Sequence, residues 1–156
     1  MNKITSFRNK YNFLSNFYLI DIEYNGLIFK SVEHAYQALK ADNYNDMIYV
    51  KDSETPSIAK KRGRIIKIRP DWNNVKISIM KDLLNKKFQD EYLKNKLLKT
   101  SNFKLIEGND WGDTFWGVDN NTGKGKNNLG ILLTKIRNNL NKKQNKLGKM
   151  LLGNKN

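Results

Sequence analysis

From Ser31 to Lys40 the apolar positions follow a helical period. In Ser31-Val32-Glu33-His34-Ala35-Tyr36-Gln37-Ala38-Leu39-Lys40, turning about 100° per residue puts Val32, Ala35, Tyr36 and Leu39 on one face. Ser31 stands where a side-chain oxygen accepts a free N–H of the first turn. Glu33, Gln37 and Lys40 share the flank of the apolar face. This flank reads either as the wall of a polar pocket or as an exposed edge with weak contacts between successive turns. His34 projects away from the stripe and reads as a packed or surface histidine.

Elsewhere the pattern changes period. Residues 4–18 carry aromatics at Phe7, Tyr11, Phe13, Phe17 and Tyr18, which suggests a short strand, a turn at Ser15-Asn16, and core anchoring by Phe7 and Phe13. Alternation around Asn25-Gly26 predicts a hairpin with a type I′ turn. Residues 42–54 are polar, with room for a loop and a short helix. Thr55-Pro56-Ser57 opens a further helix that ends at Gly63. Six of the ten residues from Lys60 to Arg69 are basic; Ile65, Ile66 and Ile68 interleave with them, so one side is expected to pack. Arg69-Pro70-Asp71-Trp72 is a turn and a helix start. Val75, Ile79, Met80, Leu83 and Leu84 keep helical spacing, as does a segment around Tyr92, Leu93, Leu97 and Leu98. Residues 103–107 read as a strand, and 108–117 as a glycine-rich loop with two Trp and two Asp, a composition that often carries binding chemistry. Asn127 or Asn128 caps a last helix whose apolar face is Leu129, Leu132, Leu133, Ile136 and Leu140. The stretch 142–156 is a basic tail in which Leu147, Met150, Leu151 and Leu152 have the means to dock a last turn. No internal repeat is apparent.

The chain has 156 residues, no cysteine and one histidine. Disulfides, cysteine metal sites and multi-histidine metal sites are therefore excluded. No apolar run reaches the length of a membrane span, and the first residues lack the apolar stretch of a signal peptide; a cytoplasmic protein without a membrane partner is expected. The net charge of +14 points to anionic partners. Part of it reflects a Lys/Asn bias, and five lysines fall in the tail. Arginine is rarer, at Arg8, Arg62, Arg64, Arg69 and Arg137, and suits bidentate contacts to phosphate.

Taken in order, several pieces resemble the NADAR family, also called YbiA-like. They are Phe13-Leu14-Ser15-Asn16-Phe17, the run Ser31 to Ala38 with Lys40, Gly63-Arg64, Arg69-Pro70-Asp71-Trp72, Met80, Lys87-Phe88, Leu97-Leu98 with Thr100, Glu107, Trp111-Gly112-Asp113 with Trp116-Gly117, and Gly125, Asn127 and Leu129-Gly130. The resemblance runs from about Phe7 to Leu140. It implies a mainly α fold with a minor β element, an α+β arrangement in a single compact domain over residues 1–141. It also implies N-glycosidase chemistry, either on phosphoribosyl intermediates of riboflavin synthesis or on ADP-ribosylated guanine in nucleic acid.

Cleavage of an N-ribosyl bond develops positive charge on the sugar. A carboxylate stabilises that charge, and an amine offers a second route through a transient Schiff base. On the resemblance, Glu33, Lys40 and Asp113 are the candidate catalytic groups. Arg8, Asn16, Phe17, Tyr36, Gln37, Arg64, Trp72, Trp116 and Asn127 are the candidate substrate contacts, the arginines for phosphate and the tryptophans for stacking. The scheme needs no metal and no cofactor. ADP-ribosylated nucleic acid stands as a candidate partner. A non-catalytic module that binds ADP-ribose, nucleotides or nucleic acid is the alternative; oligomeric state stays open.

Overall fold

The computed structural model describes residues 2–153; Met1 and the end of the expected tail, 154–156, lie outside the described residues. The fold is mainly helical, with three two-stranded sheets among the described residues. Packing groups the chain into two units. One is Asn12–Asp90; the other joins the first residues, up to Tyr11, with everything from Glu91 on.

In the Asn12–Asp90 unit, β2 (Leu19–Tyr24) and β3 (Leu27–Ser31) pair antiparallel, with Tyr24 opposite Leu27. Asn25 and Gly26 both take positive φ, 51° and 80°, as a type I′ turn demands. The hairpin delivers the chain into α1 (Val32–Leu39), whose N-cap is Ser31: its hydroxyl accepts from the N–H of His34. Three more helices follow, α2 (Tyr44–Lys51), α3 (Pro56–Gly63) and α4 (Trp72–Lys87). Asn43 and Thr55 cap α2 and α3 in the same way as Ser31, each cap worth about 1 kcal/mol. Asp71 precedes α4 without capping it, because its carboxylate is held by Arg69 at 2.6 and 2.8 Å.

Helix α1 packs against α2, α3, α4 and β3, and every residue from Val32 to Ala38 is buried. The core around it includes Leu14, Ile22, Phe29, Val50, Ala59, Met80, Leu83 and Leu84. Each of these side chains larger than alanine contributes roughly 1.5–3 kcal/mol by leaving water. The expected packing of the isoleucines after Gly63 does not occur. Ile65 and Ile68 are exposed and Ile66 is half-buried, because the segment runs as turns and a single bridge between Ala41 and Ile68 rather than as a regular element with an inner face.

In the other unit, β1 (Lys3–Ile4) and β4 (Lys104–Leu105) pair in parallel, as do β5 (Gly108–Asn109) and β6 (Val118–Asp119). Phe7 is buried here; a 3-10 helix over Asn9–Leu14, where the aromatic spacing suggested a strand, begins in this unit and ends in the Asn12–Asp90 unit, with Phe13 buried on its second part. Helix α5 (Glu91–Leu98) packs on α6 (Asn128–Gly153). Arg137 of α6 is buried and donates to Thr100 Oγ1 (2.8 Å) and to the carbonyl of Phe103 (3.0 Å), just past the end of α5.

Leu129, Leu132, Leu133 and Ile136 bury the first half of α6. The helix then continues unbroken to Gly153, through the described part of the tail. Leu147, Met150, Leu151 and Leu152 are exposed there, so the expected docking of a last turn does not occur: the segment continues α6 instead of turning back onto the domain. No helix of the described residues is long and apolar enough to cross a membrane.

Candidate active site

The edge of α1 is the first wall of the site. Glu33 is 7% exposed and Gln37 5%, so this flank is not an exposed edge. One turn separates them, and Gln37 Nε2 donates to Glu33 Oε1 at 2.7 Å. The amide thereby fixes the carboxylate. Gln37 is seated in turn by Gly63, the last residue of α3: a Cβ there would overlap Gln37 Oε1 and come within 2.9 Å of its Cδ. The glycine that ends α3 is also what lets α3 approach the amide. Gln37 Oε1 has no hydrogen-bond partner in the protein.

Asn16 adjoins the start of the same helix. The N–H of Glu33 donates to the carbonyl of Asn16 at 3.0 Å, which satisfies a first-turn donor that has no partner within the helix. The Asn16 side chain is buried; its Nδ2 reaches Met80 Sδ at 3.6 Å and its Oδ1 has no protein partner. The Glu33 carboxylate and the partnerless Gln37 Oε1 therefore lie along α1, and the partnerless Asn16 Oδ1 belongs to the residue bonded to its start, acceptors suited to a ligand rich in O–H and N–H donors.

Lys40 stands at the C-terminal end of α1. Burial pushes its amine below the ordinary lysine range; Glu33 pulls the other way, and the positive charges of Arg64, Lys60 and Lys76 add to the lowering. An amine so placed is neutral, and nucleophilic, in a larger share of molecules than a free lysine is. Its Nζ lies 5.5 Å from the centre of the Tyr36 ring. Tyr36 meets Trp72, ring centres 5.1 Å apart and tilted by 53°. Both rings are buried, so Trp72 packs a core position on Tyr36. Arg64 is exposed at the end of α3, and Phe17 is 41% exposed beside Asn16.

His34, in the middle of this helix, serves the fold. It is fully buried, with Nδ1 2.7 Å from Ser31 Oγ and Nε2 3.0 Å from the carbonyl of Ser53. A carbonyl only accepts, so Nε2 carries the proton and Nδ1 accepts from Ser31. Burial pushes its pKa down, against the Ser53 contact.

Asp113, Trp116, Asn127 and Arg8 belong to the other unit. Asp113 Oδ1 accepts the N–H groups of Phe115 (3.0 Å) and Trp116 (2.9 Å), so this oxygen shapes the loop that carries Trp116. Phe115 and Trp116 meet edge to face, 4.8 Å apart. Asn109, which the sequence did not single out, is 1% exposed and brackets Asp113 from below: its Oδ1 accepts the Asp113 N–H and its Nδ2 donates to the Asp113 carbonyl. Asn127 has φ 53° and ties the backbone of Glu107 to that of Leu105. Arg8 is exposed. Among the described residues, no three His, Asp or Glu side chains gather as metal ligands would.

The NADAR domain model matches residues 4–141. N-glycosidase YbiA of Escherichia coli is 35% identical over 130 residues, covering 81% of this chain and 80% of that protein. An N-glycosidase of Nostoc punctiforme is 35% identical over 133 residues, covering 81% and 84%. A riboflavin biosynthesis protein of Vibrio vulnificus is 34% identical over 130 residues, which span 81% of this chain and 35% of that protein. The NMR structure of E. coli YbiA superposes with a TM-score of 0.80 at 31% identity, covering 92% of this chain and 89% of that one.

Proposed function

The chain belongs to the NADAR domain family, and from that premise we propose that it is an N-glycosidase acting on phosphoribosyl or ADP-ribosyl compounds. One observation carries this reading: a single buried helix edge holds a carboxylate fixed by a neighbouring amide, Glu33 with Gln37, and an amine held below its ordinary pKa by burial, Lys40, within the field of that carboxylate.

The Lys40 amine attacks the anomeric carbon. The glycosidic C–N bond breaks, its electron pair leaves on the base nitrogen, and that nitrogen takes up a proton. The lysine-bound ribose opens to an iminium, its ring oxygen gaining a proton. Water adds to the iminium carbon, the C–N bond to lysine breaks, and the sugar leaves as ribose phosphate or ADP-ribose with the lysine amine regenerated. Glu33 stabilises the positive charge on the sugar through these steps and takes the proton that the incoming water sheds. Arg64, with Lys60 and Lys76, surrounds Lys40 with positive charge, which favours a substrate bearing phosphate. In this scheme Asp113 serves by holding the Trp116 loop in shape.

The test is a chromatographic assay of the purified chain on three substrates in parallel: guanine-ADP-ribosylated DNA, a free ADP-ribosyl conjugate and a phosphoribosyl intermediate of riboflavin synthesis. Release of ADP-ribose or ribose phosphate bearing an anomeric hydroxyl, together with the unmodified DNA, free leaving group or base it was attached to, supports the reading. Tight binding of all three without release of either product makes the protein a binding module instead.

A further inference from the structure

We infer that Lys87, which lies outside the groups assigned above, is a positioning residue for the Glu33 site; this rests on the N-glycosidase reading. Lys87 occupies the last turn of α4 and has no exposed surface. Its Nζ donates to the carbonyl of Ser15 at 2.8 Å, and the ring centres of Tyr18 and Phe88 lie 5.5 and 5.3 Å away. Burial pushes the amine down to about 7. The helix C-terminus and the ring faces offset part of that penalty, yet a methionine would fill the same space with none. Packing therefore does not account for a lysine here. What only the amine supplies is the hold on Ser15.

That carbonyl is the pivot of a tight turn. It also accepts the N–H of Tyr18 at 3.2 Å, while Ser15 Oγ accepts the N–H of Phe17 at 3.1 Å. Asn16, the next residue, is gripped by the same helix: its Nδ2 reaches Met80 Sδ, and Met80 precedes Lys87 by two turns on one face of α4. The backbone of Asn16 meets the N–H of Glu33. With those bonds made, Asn16 Oδ1 remains buried and without a protein partner at the start of the helix that carries Glu33. Lys87 and Met80 together set where that acceptor stands, and an acceptor there suits a sugar hydroxyl.

The experiment is a double-mutant cycle of Lys87→Met and Asn16→Ala in the full chain. It reads kcat and KM on whichever of the three substrates is cleaved, with the melting temperature and the side-chain amide resonances of Asn16 read alongside. Lys87→Met should melt no lower than the parent, shift the Asn16 amide resonances and lower kcat about tenfold, the scale of a misplaced contact. Combined with Asn16→Ala it should add nothing beyond Asn16→Ala alone. An unchanged kcat, or full additivity, would overturn the inference. Should Lys87→Met not fold, Lys87→Gln, which keeps a donor on a shorter arm, takes its place in the same cycle. If the parent cleaves none of the substrates, or Glu33→Gln cleaves as fast as the parent, it is the proposed function that fails. The Asn16 resonances then decide Lys87 alone, and their failure to move overturns it.

Discussion

Gln37 Nε2 lies 2.7 Å from Glu33 Oε1, one helical turn away, and both side chains are buried. A hydrogen bond to a buried carboxylate favours its charged form and fixes its direction. Glu33→Gln removes the charge while keeping an acceptor for Gln37 and a residue of nearly equal helix propensity. Turnover should fall by roughly two orders of magnitude or more, with melting temperature and substrate affinity close to the parent's. Comparison of kcat with the Kd for uncleaved substrate checks this; near-normal kcat removes Glu33 from the chemistry.

Lys40 must be neutral to attack. Burial holds its pKa below the ordinary lysine value, so kcat/KM should rise with pH and level off below about 10.4, where a free lysine would titrate. Borohydride added during turnover should trap a covalent sugar adduct in the parent and none in Lys40→Arg, which keeps the charge. Mass spectrometry of the treated protein reads the outcome. Absence of an adduct in the parent, with activity intact, leaves direct attack by water beside Glu33.

Gly63 supports the same carboxylate from a distance. Gly63→Ala sets a methyl group against Gln37 Oε1, and the amide must swing away from Glu33. We expect kcat to drop about tenfold or more with KM changed less. Restoration of turnover by adding Gln37→Ala to Gly63→Ala would show instead that the amide is dispensable.

Much of this architecture was legible in the chain. The Ser31 cap, the period of Val32, Ala35 and Tyr36, the Asn25-Gly26 turn and the Pro56 and Gly63 boundaries are local signals, and local signals survive folding. What escaped was non-local. Lys87-Phe88 stands among the matching motifs, but nothing in its spacing shows that this lysine is buried; only the turn at Ser15, 72 residues earlier, makes it a buried donor. Asn109 reads as loop punctuation until Asp113 is seen folded over it. Ile65 and Ile68 misled in the other direction, because apolar residues in a segment of turns have no common face to bury. Within the site, the pairing of Glu33 with Gln37 follows from helical spacing, whereas the seat that Gly63 provides depends on how α3 crosses α1.

Asp113 separates charge from shape. Asparagine presents the same Oδ1 to the N–H groups of Phe115 and Trp116, whereas alanine leaves both without it. Asp113→Asn should therefore keep the loop and most of the activity, and Asp113→Ala should lose both. Tryptophan fluorescence beside turnover tells them apart: an inactive Asp113→Asn with parent-like fluorescence would make the charge itself catalytic.

The two halves of α6 differ in what holds them. The buried half supplies the nucleus of the helix, so the exposed half needs only propagation, turn by turn, at a free energy near zero. Its amides should exchange with solvent through local fraying long before those of Leu132 or Ile136, which open only with the surrounding structure. On heating, far-ultraviolet circular dichroism will begin to fall while the fluorescence of Trp72, Trp111 and Trp116, all outside α6, still reports a folded chain. The two transitions will not coincide, although no folding intermediate separates them; a helix is simply shortening through its exposed half.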